Sequence, residues 1–311
     1  MKVLSIVTNE YATFYQKQVD SLEDKGCEVK SISPTGQSPD RMERKAISRN
    51  KFDYIELYAD ILRSSRERYD IIHANFGLTS PFALAQPQRP VVLSLWGSDL
   101  TGRVGKVTKQ LAGFCDEIIV MSDEMERRLG MDAHVIPHGI DMEQFSPMDQ
   151  QQAQDSVGWD QGVKHVLFPY DPDRGVKNYP LAERVVKQVQ VKVPDPVKLQ
   201  VVYDISHDDV QSYMNAADAL LLTSKREGFP NSVKEAMACN LPVVSTDVGG
   251  LRSRLEDVDN SFVCNSEREL VERLGDVLDS DRRSNGREYV ADLSLDANGD
   301  QLLDVYKSAL E

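Results

Sequence analysis

The chain of 311 residues has no apolar run near the roughly 20 residues that a helix needs to cross a bilayer. Its first apolar stretch, Met1-Lys-Val-Leu-Ser-Ile-Val7, gives way to Thr8-Asn9-Glu10 too soon for a signal peptide, and it reads as a first strand. Cysteine is scarce. The four present, at 27, 115, 239 and 264, show no Cys-x-x-Cys spacing, and each lies in or beside an apolar segment. They fit reduced core residues of a cytoplasmic protein, not a disulfide or metal framework. Basic residues are also in deficit: 36 Lys and Arg stand against 50 Asp and Glu, net −14. Binding to phosphate backbones needs the opposite balance, which argues against nucleic acid as the main partner. Arg41 to Lys51 is a local exception, with five basic residues against Glu43. It reads either as a solvated surface or as a peripheral contact with the inner face of an anionic membrane.

An apolar fraction of 41% and a charged fraction of 28% are ordinary for a globular protein. The length suits two domains of about 150 residues. Short apolar runs alternate with amphipathic stretches, the pattern of parallel sheets with crossover helices. The first half predicts strands over 3–7, 28–32, 71–74, 91–95, 117–121 and 134–136. Residues 137–163, rich in Pro, Gln and Asp, read as a linker. The second half predicts strands over 166–169, 198–203, 219–222 and 242–245, with a short one at 261–264. The expected domains are 1–150 and 151–295. A terminal helix over 296–311, with one apolar stripe, is expected to cross back to the first domain.

The most informative stretch is Asp218 to Gly250. An apolar strand runs into a polar turn bearing Glu227 and Gly228; Pro230 opens a helix, and Glu235 follows eight residues after Glu227. A helix N-terminus behind a glycine-containing turn suits phosphate, and carboxylates suit the paired hydroxyls of a sugar. Phosphate together with sugar hydroxyls describes a nucleotide sugar.

The order of residues in "EGFPNSVKEAMACNLPVV", followed by "STDVGG", resembles the donor-site signature of family 4 glycosyltransferases, which are retaining enzymes of the GT-B fold. "IPHGIDMEQFSP" resembles the end of that family's first domain, with His138 where asparagine is common. The resemblance implies an α/β GT-B protein with two Rossmann-like parallel-sheet domains facing a cleft: an acceptor domain and then a donor domain. It also implies that Glu235 binds the ribose hydroxyls, that Glu227 lies against the donor sugar, and that Lys177 and Arg174 stabilise the leaving diphosphate with the helix start. Gly228, Phe229, Pro230, Asn231 and Ser224 are further candidates for donor contacts, Asn231 doubling as a helix cap.

The chain departs from the family's pattern in three places. Thr8 to Phe14 replaces a glycine-rich loop, Tyr203 to His207 is shortened, and Trp96 stands before Gly-Ser-Asp where the family commonly has histidine. Trp96 either stacks on a sugar or fills the core. Asp99 either meets substrate hydroxyls as part of the catalytic set or organises its turn. His73, His138, His165 and His207 read as structural or surface residues. No Asp-x-Asp sits clearly on a loop after a strand, so no metal and no cofactor beyond the nucleotide sugar is expected. The expected function is metal-independent, retaining transfer of a hexose-type sugar from a nucleoside diphosphate to a hydroxyl of a glycan or lipid-linked acceptor. The alternative is a catalytically impaired accessory protein on the same fold. A glycoside hydrolase would use two carboxylates about 5 Å apart, but it has no need of a lysine and a helix start for phosphate.

Overall fold

The computed structural model describes residues 1–34 and 51–311. Two compact units form: Met1–Gly139 with Leu295–Glu311, and Ile140–Ser294. The first runs β1 (Lys2–Val7), α1 (Thr13–Asp24), β2 (Glu28–Ile32), α2 (Lys51–Ser64), β3 (Ile71–Asn75), α3 (Ser80–Ala85), β4 (Val91–Ser94), α4 (Gly102–Ala112), β5 (Glu117–Val120), α5 (Asp123–Leu129) and β6 (His134–Val135). The second begins with α6 (Gln150–Val157), β7 (Lys164–Phe168), α7 (Tyr179–Val189), β8 (Val197–Val201) and α8 (Val210–Ala216). It continues with β9 (Ala219–Leu222), α9 (Asn231–Ala238), β10 (Val243–Thr246), α10 (Leu251–Leu255), β11 (Phe262–Cys264) and α11 (Glu267–Ser280). The last helix, α12 (Leu295–Leu310), belongs to the first unit. Apart from Lys51, which opens α2, the basic run Arg41–Lys51 lies outside the described residues.

Both sheets are parallel, ordered β2-β1-β3-β4-β5-β6 and β11-β10-β9-β7-β8. Their central strands are buried on both faces, which is why runs such as Ala219-Leu-Leu-Leu222 are apolar throughout and do not alternate. In each sheet the second strand is added on one side and all later strands on the other, so the order reverses between β1 and β3 and again between β7 and β9. Right-handed crossovers then put α2 to α5 on one face of the first sheet and α1 on the other. Among the described residues no helix is long and apolar enough to cross a membrane.

α12 packs on α1 in the first unit. Gly299 is required there: a Cβ would lie 2.3 Å from Ser21 Oγ. Ser21 Oγ donates to the Leu295 carbonyl at 2.7 Å, and Lys25 Nζ pairs with Asp296 and Asp300 at 2.6 and 2.7 Å. Further along, buried Tyr306 meets His73 Nδ1 at 2.7 Å, while His73 Nε2 meets Ser94 Oγ at 2.8 Å.

The stretch 137–163 is not all linker. Asp149 caps α6 by accepting from Gln152 N at 2.9 Å, and Gly158 ends the helix at φ 70°. The polar composition hides this helix because its inward face includes an amide: buried Gln154 donates to the Ala216 carbonyl at 3.1 Å. Arg287 fastens the segment ahead of α6 by donating to the carbonyls of Met142 (2.7 Å), Phe145 (2.6 Å) and Ala238 (2.9 Å).

Burial holds the His73 imidazole neutral, with its pKa lowered from 6.5 to about 3. The folded state therefore refuses a proton that the unfolded chain accepts, so stability falls as pH drops below 6.5 toward 3. Chemical unfolding at pH 7 and pH 5 should differ by about 2 kcal/mol through this residue. His73→Gln lowers the baseline but removes that part of the pH dependence; an unchanged dependence would exclude His73 as its source.

Candidate nucleotide-sugar site

The reversal between β7 and β9 leaves a crevice at their carboxyl ends, where open α/β sheets bind ligands. Two loops line it. The loop after β7 is a chain of turns, with Arg174 N donating to the Asp171 carbonyl at 3.1 Å and Lys177 N to the Arg174 carbonyl at 2.8 Å. The loop after β9 is tied to it: Thr223 Oγ1 donates to the Lys177 carbonyl and Lys225 N to the Val176 carbonyl, both at 2.9 Å.

These ties bring Lys177 and Glu227 together. Lys177 is 5% exposed; its Nζ lies 2.6 Å from Glu227 Oε1 and 3.6 Å from the centroid of the Tyr170 ring. Burial pulls the Lys177 pKa below its ordinary value and nearby Arg174 adds to this, while Glu227 opposes both. Arg174 itself is exposed. The Tyr170 hydroxyl bonds Ser232 Oγ, linking this pair to the first turn of α9.

Pro230 occupies the cap position of α9 in an extended conformation, so Asn231 is its first helical residue and does not cap it. The amides ahead of Val233 have no acceptor within the helix and are available to an anion. Glu235 lies one turn in, 8% exposed. Ser224 is buried, and its Oγ has no partner among the described residues, an uncommon state that a ligand oxygen would relieve. Phe229 joins the core, its ring 5.4 Å from Lys234 Nζ. Lys234 is fully buried, which lowers its pKa to about 7. Gly228 meets the Asp247-Val-Gly-Gly250 loop closely: a Cβ on Gly249 would lie 2.3 Å from the Gly228 carbonyl oxygen.

Sequence reasoning missed part of this site. His207, read as a surface or capping residue, donates from Nε2 to Glu235 Oε1 at 3.2 Å and packs edge-on against Phe145 at 5.4 Å. Tyr170 gave no signal, since its role depends on a residue about 60 positions away, and Gly249, within the quoted STDVGG run, did not reveal its contact with Gly228 about 20 positions away.

Two candidates lie in the first unit. Asp99 takes the turn-organising alternative in this structure: it is fully buried, and its carboxylate accepts N–H bonds from Trp96 (3.0 Å), Gly97 (2.7 Å) and Gly77 (3.1 Å). Burial raises its pKa against the opposing pull of those amides. Half-buried Trp96 takes the packing alternative, with ring centroids 4.9 Å from Phe14, 5.6 Å from Phe76 and 5.5 Å from His138. Its Nε1 is buried without a partner among the described residues.

Two Rossmann-like parallel sheets, with a helix start and carboxylates at the switch point of the second, define a GT-B fold. Comparison with known proteins supports the class. A family model described as Glycosyltransferase Family 4 matches residues 13–144, and one described as Glycosyl transferases group 1 matches residues 178–280. The chain belongs to glycosyltransferase family 4.

Among curated relatives, TuaC of Bacillus subtilis, named for teichuronic acid biosynthesis, is 29% identical over 227 residues, covering 62% of this chain and 58% of that protein. The lipopolysaccharide core biosynthesis mannosyltransferase LpsB of Rhizobium meliloti is 27% identical over 168 residues, 43% of this chain and 46% of that one. The matches thus span 58% of TuaC and 46% of LpsB, about half the length of each. Among solved structures, sucrose-phosphate synthase from Thermosynechococcus elongatus superposes with a TM-score of 0.80 at 17% identity, covering 99% of this chain and 98% of that one. Anabaena HepE in complex with UDP-glucose gives a TM-score of 0.72 at 16% identity over 99% and 100%.

Gly249 and Gly250 both have left-handed backbones, at φ 61° and 70°, but only Gly249 faces a close neighbour. Both alanine variants should lose about 1 kcal/mol to backbone strain, and Gly249→Ala should lose measurably more. Equal melting temperatures for Gly249→Ala and Gly250→Ala would remove the Gly228 contact from the site's architecture.

Proposed function

We propose that this protein is a metal-independent, retaining glycosyltransferase that moves a hexose-type sugar from a nucleoside diphosphate to a hydroxyl of a glycan or lipid-linked acceptor. The observation that carries the proposal is buried Lys177 paired with half-buried Glu227 beside the first turn of α9, with Glu235 one turn further in. Lys177 and the α9 amides supply positive charge where the leaving diphosphate gains negative charge, in a partly desolvated site where such charge counts most. Glu235 accepts from the ribose hydroxyls, and His207 holds its carboxylate from the far side. Glu227 orients the donor sugar, and Arg174 adds charge from the exposed side of the loop. Ser224 offers its otherwise unpartnered hydroxyl to a donor oxygen. The leaving phosphate takes the acceptor proton, so no dedicated protein base is required. The expected setting is cytoplasmic.

A binding-only subunit is the second reading, motivated by the commitment of Asp99 and Trp96 to architecture. Donor binding without transfer to any acceptor would select it.

A thermal-shift panel of UDP-, GDP- and ADP-sugars should show stabilisation by one class. Glu235→Ala should weaken that donor at least tenfold, the scale of losing hydrogen bonds to a charged group. Lys177→Gln should lower kcat more than donor affinity. Retention is read from the anomeric configuration of the product by NMR. Absence of a shift with every nucleotide sugar would refute the donor site.

A further inference from the structure

α9 carries a charge where its neighbours are apolar. Val233, Ala236, Met237 and Ala238 are fully buried, and Lys234 among them is buried just as completely. An ammonium group in a core loses its hydration and is rarely kept there without a partner or a task. Methionine would fill the same space without that desolvation, so the amine itself needs a reason.

The surroundings of Lys234 point to the Phe229 ring. Its Nζ lies 5.4 Å from the ring centroid, and the Arg254 guanidinium of α10 lies 5.8 Å from the same centroid. Both fall within the range over which an aromatic ring attracts a cation, an attraction that grows where water is excluded. Phe229 is 8% exposed, so the Lys234 contact is desolvated. The two cations repel each other, yet they converge on one ring. Asp292, 3.4 Å from Arg254, steadies that guanidinium from outside. Phe229 occupies a pivotal place in the chain. Glu227 and Gly228 precede it, with the Gly228 carbonyl close against Gly249, and Pro230 follows at the cap position of α9. The pose of this one ring therefore sets both the carboxylate at the end of the β9 loop and the amides that open the helix.

We propose that Lys234 is a positioning residue of the donor site: with Arg254 it clamps the Phe229 ring and so fixes the turn from Glu227 to Pro230 on the start of α9. This role rests on the nucleotide-sugar reading of the site and adds to it a residue that touches no ligand. It also makes the site sensitive to pH near neutrality. Burial brings the Lys234 pKa down to about 7, with Glu235 opposing the fall and Arg254 adding to it. α8 and β10, which also pack on α9, carry no charged side chain. In the adjacent turn Gly286–Tyr289, Arg287 is committed to carbonyls and Glu288 is exposed. Raising the pH through 7 removes the ammonium charge and its pull on the ring, so donor affinity falls as pH rises.

The test is calorimetric binding of UDP-, GDP- and ADP-glucose to the full chain, with the tightest of the three then followed between about pH 6 and about pH 8.5. A nucleotide sugar, unlike a free diphosphate, has no phosphate that titrates in this range. The parent should lose about fivefold in affinity across it, the scale of one cation–π contact. Lys234→Met should bind about fivefold more weakly at the lower pH and lose that part of the pH dependence. It should melt no lower than the parent, because an apolar side chain replaces a buried charge. Phe229→Leu should weaken binding too, and adding Lys234→Met to it should bring no further loss. The proposal is overturned if Lys234→Met matches the parent across the pH range. Losses that add in the double variant also overturn it, and assign Lys234 a direct electrostatic effect on the diphosphate. A parent that binds no nucleotide sugar at any pH removes the donor site itself, and the clamp with it.

Discussion

A buried lysine beside a tyrosine ring keeps its charge only if an anion is brought to it, and in this fold the anion comes from another loop. Lys177 follows β7 and Glu227 follows β9, fifty residues later, yet Nζ and Oε1 lie 2.6 Å apart. The reversal of strand order places the two carboxyl ends side by side, and the Thr223 and Lys225 hydrogen bonds lock the loops in register. Gly249, with no side chain, lets a third loop reach the Gly228 carbonyl. Removing either member of the ion pair leaves a desolvated charge, so loop geometry and site electrostatics form one constraint.

Burial and hydrogen-bond saturation separate the polar residues that build the fold from those open to a ligand. Asp99 is fully buried with three backbone amides on its carboxylate, and His73 has a partner on each ring nitrogen. Both serve architecture. Ser224 has a buried hydroxyl with no partner, and Glu235 retains some exposure with one oxygen on His207. These are incomplete in a way that a ligand with hydroxyl and phosphate oxygens would complete.

Much of the second unit was legible because its information is local. The run from Asp218 to Gly250 contains strand, turn, helix and strand in sequence, so the separation of Glu227 and Glu235 translates directly into positions on a turn and a helix. The apolar runs revealed the strands for the same reason, since parallel strands are buried on both faces. Failures came where composition and environment disagreed. α6 looked like linker because its buried face includes Gln154, whose amide is satisfied by a carbonyl 62 residues away. His207 looked like a surface residue because nothing near it in sequence announces Glu235. Asp99 kept two readings open because turn-forming and substrate-binding aspartates look alike until their partners are known.

The sequence by itself determined the two α/β units, the helix start with its paired carboxylates, and the family, all of which rest on periodicity and short-range spacing. Only the tertiary structure decided which charges meet. It paired Lys177 with Glu227 and His207 with Glu235, and turned Asp99 inward onto backbone amides. The physical reason is that spacing along the chain sets the face a side chain occupies. Its partner, and with it the state of its charge, is set by strand order and by which loops the sheet brings together.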